Sequence, residues 1–128
     1  MDYNTIQDNN NIGKNEVLSK AILNLKDSWQ LSNKDIAEII GVDSSFITRL
    51  KKGQTQIEHD KKTGQLSLML IRVFRSLGAF LGDRMTAQQQ WLDSYNRAFN
   101  STPIDAMKNV EGLSRVVIYL DALRGSEG

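Results

Sequence analysis

Cysteine is absent from this 128-residue chain, which excludes disulfides and thiolate metal sites. Its one histidine, His59, has no second ligand-type neighbour at metal spacing and reads as a surface side chain. A glycine-rich phosphate loop beside a strand is also missing, and carboxylate pairs such as Asp35 and Glu38 sit at the spacing of a solvated helix face. With these carriers of chemistry gone, no enzymatic activity, catalytic residue, cofactor or metal is expected. Proline occurs once, at Pro103, and no sustained alternation of β-branched residues points to a strand. An excess of one charge is lacking too. Sixteen Lys and Arg face fifteen Asp and Glu, so net charge alone does not argue for nucleic acid. The polar N-terminus lacks the basic-then-apolar pattern of a secretion signal, and Arg72 and Arg75 interrupt the longest apolar run, Leu66–Leu81. The expectation is a cytoplasmic protein with no membrane span.

What remains is 40% hydrophobic and 24% charged residues, rich in helix formers, in a length suited to one domain or two small ones sharing a core. The fold class read from this is all-α. Residues 1–12, rich in Asn, Asp and Gln, read as a disordered tail. A first helix is expected from about Lys14 to Trp29, with Val17, Leu18, Ala21, Ile22 and Leu25 as its apolar stripe and Trp29 closing a small core.

The most informative stretch is Leu31–Gly53. Ile36, Ala37 and Ile40 share one helical face, and Phe46, Ile47 and Leu50 share another. Ser32 or Asn33 can cap the first helix and Asp43 the second, while Gly41 allows the turn between them. Two helices joined so tightly form a helix-turn-helix. Ser44, Ser45, Thr48 and Arg49 then face outward, and Lys51, Lys52, Lys61 and Lys62 supply local positive charge.

Ser32-Asn33, Ile36-Ala37, Gly41-Val42-Asp43, Ile47-Thr48 and Gly53 resemble, in order and spacing, the helix-turn-helix of phage-repressor-like (Xre/Cro) DNA-binding domains over roughly residues 14 to 62. The family usually has Gln at 33 and Glu at 51, where this chain has Asn33 and Lys51. Losing that glutamate removes an expected ion pair with the first helix and adds charge where phosphate would pass. The resemblance implies double-stranded operator DNA as a partner. Arg49 would be the residue best suited to a guanine edge, Ser44, Ser45 and Thr48 could serve bases or phosphates, and Asn33, Lys51 and Lys52 would lie toward phosphates.

Behind this head, Leu66, Met69, Leu70, Val73, Phe74, Leu77 and Phe80 recur at helical steps, with Arg72, Arg75 and Ser76 off the stripe. Thr86 and Gln89 have the spacing of a capping box, ahead of a buried face of Trp91, Leu92 and Tyr95. Thr102-Pro103 marks a short helix start, and Glu111-Gly112 separates it from a last helix with Leu113, Val116, Val117, Leu120 and Leu123 on one side. The division read from this is a tail (1–12), a helix-turn-helix domain (13–62) and a small C-terminal helical domain (63–128).

Leu81-Gly82-Asp83, Gln90-Trp91-Leu92, Asn96, Pro103, Gly112, Val116-Val117 and Leu120 resemble the toxin-binding domain of Xre/MbcA/ParS-type antitoxins over roughly residues 66 to 124. The resemblance implies a repressor–antitoxin that blocks a cognate toxin, commonly one with a NAD-consuming RES domain, and acts as a homodimer. In that family the antitoxin's C-terminal end lies across the toxin's active-site entrance. This carries over to Asp121 through Gly128, with Asp121, Arg124 and Glu127 as toxin-binding candidates; a frayed polar terminus is the other reading. A stand-alone Xre-family regulator without a toxin is the alternative for the whole chain.

Overall fold

The computed structural model of the chain describes residues 3–126. Seven helices follow in order: α1 (Tyr3–Trp29), α2 (Asn33–Ile40), α3 (Ser44–Lys51), α4 (Lys62–Leu81), α5 (Met85–Asp93), α6 (Pro103–Ala106) and α7 (Val110–Ser126). The all-α expectation holds among the described residues, where the one β-type pairing is an isolated bridge between Asn96 and Ser101. The stretch expected to be a disordered tail instead prolongs α1 back to Tyr3. Extending a helix that packing has already nucleated takes far less free energy than starting one.

The head forms as its local signals dictate. Ser32 accepts the Asp35 N–H at 3.0 Å to start α2. Gly41, at φ 81°, ends it with its own N–H on the Ala37 carbonyl, a left-handed cap that a side chain would strain. Ile36, Ala37, Ile40, Ile47 and Leu50 are buried as the spacing requires, and Ile39 joins them. Phe46 lies at the rim, only partly buried.

α4 is the axis of the molecule. By length and composition alone it could cross a membrane, yet here it packs against α1, α2, α5 and α7. One hydrophobic cluster therefore runs from Leu18 on α1 to Leu120 on α7. The boundary expected at 62/63 falls where α4 begins, and α4 serves both sides of it. Trp29 belongs to this junction. Its ring meets the Phe74 ring edge-on at 5.1 Å, and its indole N–H donates to Gln88 Oε1 at 2.9 Å.

A second tie joins head to rear. The Lys108 ammonium reaches Asp35 at 3.0 Å and Glu38 at 3.5 Å on α2, and Asp105 at 3.2 Å on α6. The hydrogen bonds to Asp35, the strongest contributor, and to Asp105 raise the Lys108 pKa above the usual lysine range, so its ammonium stays charged through the neutral range. Asp35 and Glu38 are thus paired rather than merely solvated.

Other sequence readings are corrected by packing. Val17 and Phe80, placed on apolar faces, are 69% and 43% exposed, because no element covers their side of the helix, and Tyr95, 64% exposed, lies in the loop beyond the end of α5. Ser76, expected off the stripe, is buried and accepts from Arg124. His59 is half-buried: its ring Nδ1 and its backbone N–H both reach Asn15 Oδ1, at 2.8 and 2.9 Å. The expected Thr86–Gln89 capping box does not form. α5 starts at Met85 behind Arg84, Gln88 rather than Gln89 reaches back, to the Gly82 carbonyl at 2.7 Å, and Gln89 turns toward Ser28. Gly112 lies inside the first turn of α7 and not in a separating loop, with its N–H on Asn109 Oδ1. Thr102 and Pro103 start α6 as read, the threonine hydroxyl accepting from Asp105 N–H.

Candidate nucleic-acid and protein interfaces

The front of α3 is organised by its own cap. Asp43 accepts the Phe46 N–H at 2.8 Å and the Ser45 hydroxyl at 2.7 Å. The Ser45 and then the Phe46 hydrogen bond hold its carboxyl below the usual aspartate range. Ser45 in turn accepts from Arg49 at 3.2 Å, and the Arg49 guanidinium lies 5.8 Å from the Phe46 ring centre. Asn33, at the start of α2, donates to the Thr48 hydroxyl at 3.5 Å, while Thr48 donates to the Ser44 carbonyl. Ser44, Ser45, Thr48 and Arg49 are all exposed, on the opposite side of α3 from buried Ile47 and Leu50. The structure thus gathers Asn33, Ser44, Ser45, Thr48 and Arg49 on one face, with exposed Lys51 and Lys52 at its C-terminal edge. A polar face of this kind, held by side-chain bonds before any ligand arrives, suits hydrogen bonding to another polar surface.

Lys51 has a neighbour that its sequence position did not disclose. Lys26 on α1, a largely buried residue, lies beside it, and burial, followed by Lys51's charge, pushes the Lys26 pKa down. The glutamate usual at position 51 in Xre/Cro-like domains would have met Lys26 as a partner; here two cations meet. Because the folded-state pKa of Lys26 is depressed, the folded protein holds fewer protons than the unfolded chain in that pH range. Stability therefore climbs as pH rises from the folded pKa toward the ordinary lysine value. Lys51→Glu is expected to raise stability by about 0.5–1 kcal/mol near neutral pH and to reduce that alkaline climb. Thermal unfolding of both proteins from pH 7 to 10 checks both effects.

At the other end, α7 carries the C-terminal candidates. Asp121 is half-buried and pairs with Arg72 of α4. Arg124, exposed, donates to Ser76 at 3.2 Å. Glu127 lies outside the described residues. Arg72 and Arg75, set aside in the sequence as off-stripe charges, share this region, and their departure from the apolar period was the one available signal.

A capped two-helix head with an exposed polar edge, fused through one core to a helical rear half, defines a helix-turn-helix protein with an appended helical domain. Comparison with known families refines that class. Residues 14–72 match the antitoxin Xre-like helix-turn-helix domain, and residues 76–125 match the antitoxin Xre/MbcA/ParS C-terminal toxin-binding domain. The chain belongs to the Xre/MbcA/ParS-type antitoxins of toxin–antitoxin systems. No curated protein matches it. The two matched regions meet inside α4, the helix that both halves share.

Proposed function

We propose that this antitoxin neutralises a cognate RES-domain, NAD-consuming toxin by direct binding in the cytoplasm and represses its own operon by binding operator DNA as a homodimer. The observation that carries the reading is the serial match of an antitoxin helix-turn-helix and a toxin-binding domain on one chain. Residues 13–62 form the DNA-binding head in this scheme, and residues 63–128 form the part that binds toxin and dimerises.

The exposed face of α3 enters the major groove with its N-terminal turn foremost. Arg49 is the side chain best suited to guanine, since its fork can bond O6 and N7 together. To do so it exchanges its hydrogen bond to Ser45, which then turns to a base or phosphate. Asn33, Lys51 and Lys52 contribute to the phosphate side, where each neutralised phosphate adds salt dependence. One such head makes few base contacts, so useful specificity requires two half-sites about one DNA turn apart and a dimer to match them. The rear half has uncovered apolar surface for such pairing, including Ile118 on α7, which is 66% exposed.

Arg49→Ala should weaken operator binding by about 1–3 kcal/mol and relax sequence preference while leaving random-duplex binding nearly unchanged. Titration of operator and scrambled duplex at fixed salt checks this; equal loss on both would assign Arg49 to phosphate. The toxin arm is tested by co-expression with the neighbouring reading frame. A stable complex and rescue of growth are expected, and failure of both would remove the antitoxin role.

A further inference from the structure

Between α1 and α4, beside the end of α7, lies an open groove of about 1060 Å³. Its floor is apolar: Val17 and Ala21 from α1, Leu68 and Ile71 from α4. Val17 and Leu68 are 69% and 52% exposed there, large apolar side chains that the fold leaves uncovered. Its rim is cationic: Lys14, Arg72, Arg75 and Arg124 line it, and among the described residues His59 is the only other titratable lining group and no carboxylate joins them. Asp121, just outside, satisfies Arg72, and Arg124 spends one hydrogen bond on neutral Ser76. Arg75 and Lys14 are left without a carboxylate partner among the described residues.

We propose that this groove is where the toxin docks, taking an amphipathic helix whose apolar stripe covers Val17 and Leu68 and whose Asp and Glu residues meet Arg75, Arg124 and Lys14. The proposal rests on the antitoxin reading above and names the surface and the chemistry of the partner segment. Two helices flanking an apolar trough accept a third helix, anchored at every third or fourth residue. The charge pattern selects the occupant. A second copy of this chain seated by two-fold symmetry would set the same arginines against themselves, because an isologous contact pairs a patch with its own image. Like charges brought together in that way disfavour the contact, whereas acidic side chains meet them as charge-assisted partners. The occupied surface includes α1 of the head as well as α4 and α7 of the rear half, so toxin recognition is not confined to the C-terminal domain.

The test uses the full chain with the toxin encoded beside it, measuring affinity by titration for wild type, Leu68→Glu and Arg75→Glu. Both positions are exposed, and operator binding by each variant, expected within about twofold of wild type, controls for folding. Arg75→Gln is a milder second variant should charge reversal perturb the chain. Each Glu variant is expected to weaken toxin binding by at least about tenfold, with the Arg75 effect shrinking at high salt. Hydrogen exchange should slow in residues 14–25 and 66–76 when toxin is added. Toxin binding that is equal for wild type and variants would overturn the docking proposal and leave the antitoxin reading standing. Absence of toxin binding by the wild-type chain would remove that reading and the docking proposal with it. If the isolated chain instead self-associates through this face, shown by Leu68→Glu turning dimer to monomer, the occupant is a second copy and the proposal falls.

Discussion

Replacing Gly112 by alanine will lower the melting temperature by several degrees, although alanine is the better helix former. Gly112 sits in the first turn of α7, where propensity alone favours alanine by about 0.8–1 kcal/mol. A Cβ built there, however, lies 1.8 Å from the Ala106 carbonyl oxygen and 2.7 Å from its carbon. The obstacle is backbone, so no side-chain rotation relieves it. α7 must move away from α6, disturbing Ile104, Ala106 and Met107 against Leu113 and Val116, all buried. Overpacking of this kind costs about 1–3 kcal/mol and sometimes more, so it outweighs the propensity gain. Gly125→Ala provides the control. It lies near the end of the same helix with nothing within 4 Å of the added carbon, and should be neutral or slightly stabilising. Thermal circular dichroism on both variants decides the matter, and a Gly112→Ala protein as stable as wild type would show that the close approach of α6 and α7 is wrong. If toxin docks in the groove proposed above, its binding should weaken with Gly112→Ala at temperatures where operator binding persists, because the displaced helix carries the rim residue Arg124.

The sequence disclosed what is local and hid what is distant. Asp43, Ser32 and Thr102 cap helices within three residues of themselves, so their roles are visible in a short window. The buried faces of α2, α3 and α7 follow one period each, and those residues are buried as read, with Phe46 and Leu123 only partly so. Periodicity does not say whether another element arrives to cover a face. Val17 continues the stripe of Leu18, Ile22 and Leu25 by spacing, yet it borders an open groove. Lys108 gives no local hint of its partners because Asp35 and Glu38 precede it by about seventy positions and meet it only through α4's packing. Gly112 looked like a turn glycine, and only the position of Ala106 reveals it as a contact glycine. Of the polar candidates, the cluster around Arg49 shares a face because a single helix carries most of it. The Arg75 and Arg124 pair of rim charges needed two helices far apart in sequence, α4 and α7, to assemble.

Trp29→Ala is expected to have the largest effect of any single substitution, about 3–5 kcal/mol, because an almost fully buried indole leaves a cavity at the junction of the two halves. A chain of this size is held by only about 5–15 kcal/mol, so the variant will be partly unfolded near physiological temperature. The polar side of the indole adds a second, separable contribution. Its N–H donates to Gln88 Oε1, and Gln88, 1% exposed, passes the chain on by donating to the Gly82 carbonyl at 2.7 Å. Trp29→Phe keeps most of the ring but strands a buried amide oxygen, a loss of about 1–3 kcal/mol. Gln88→Leu strands the indole N–H and removes the donor to Gly82, with a loss of similar size. Combined, the two substitutions should cost about 1–2 kcal/mol less than their sum, since neither leaves the other's partner waiting. The junction also decides how the molecule melts. Since one core cluster spans α1 to α7 and Trp29 sits where α1 meets α4 and α5, head and rear should unfold in one transition. In Trp29→Ala, operator binding and toxin binding should therefore fade together as temperature rises, in step with loss of helical ellipticity. Hydrogen exchange showing residues 33–51 opening well before residues 110–120 would mean the halves are held separately, and the Trp29–Gln88 link would then be packing without mechanical consequence.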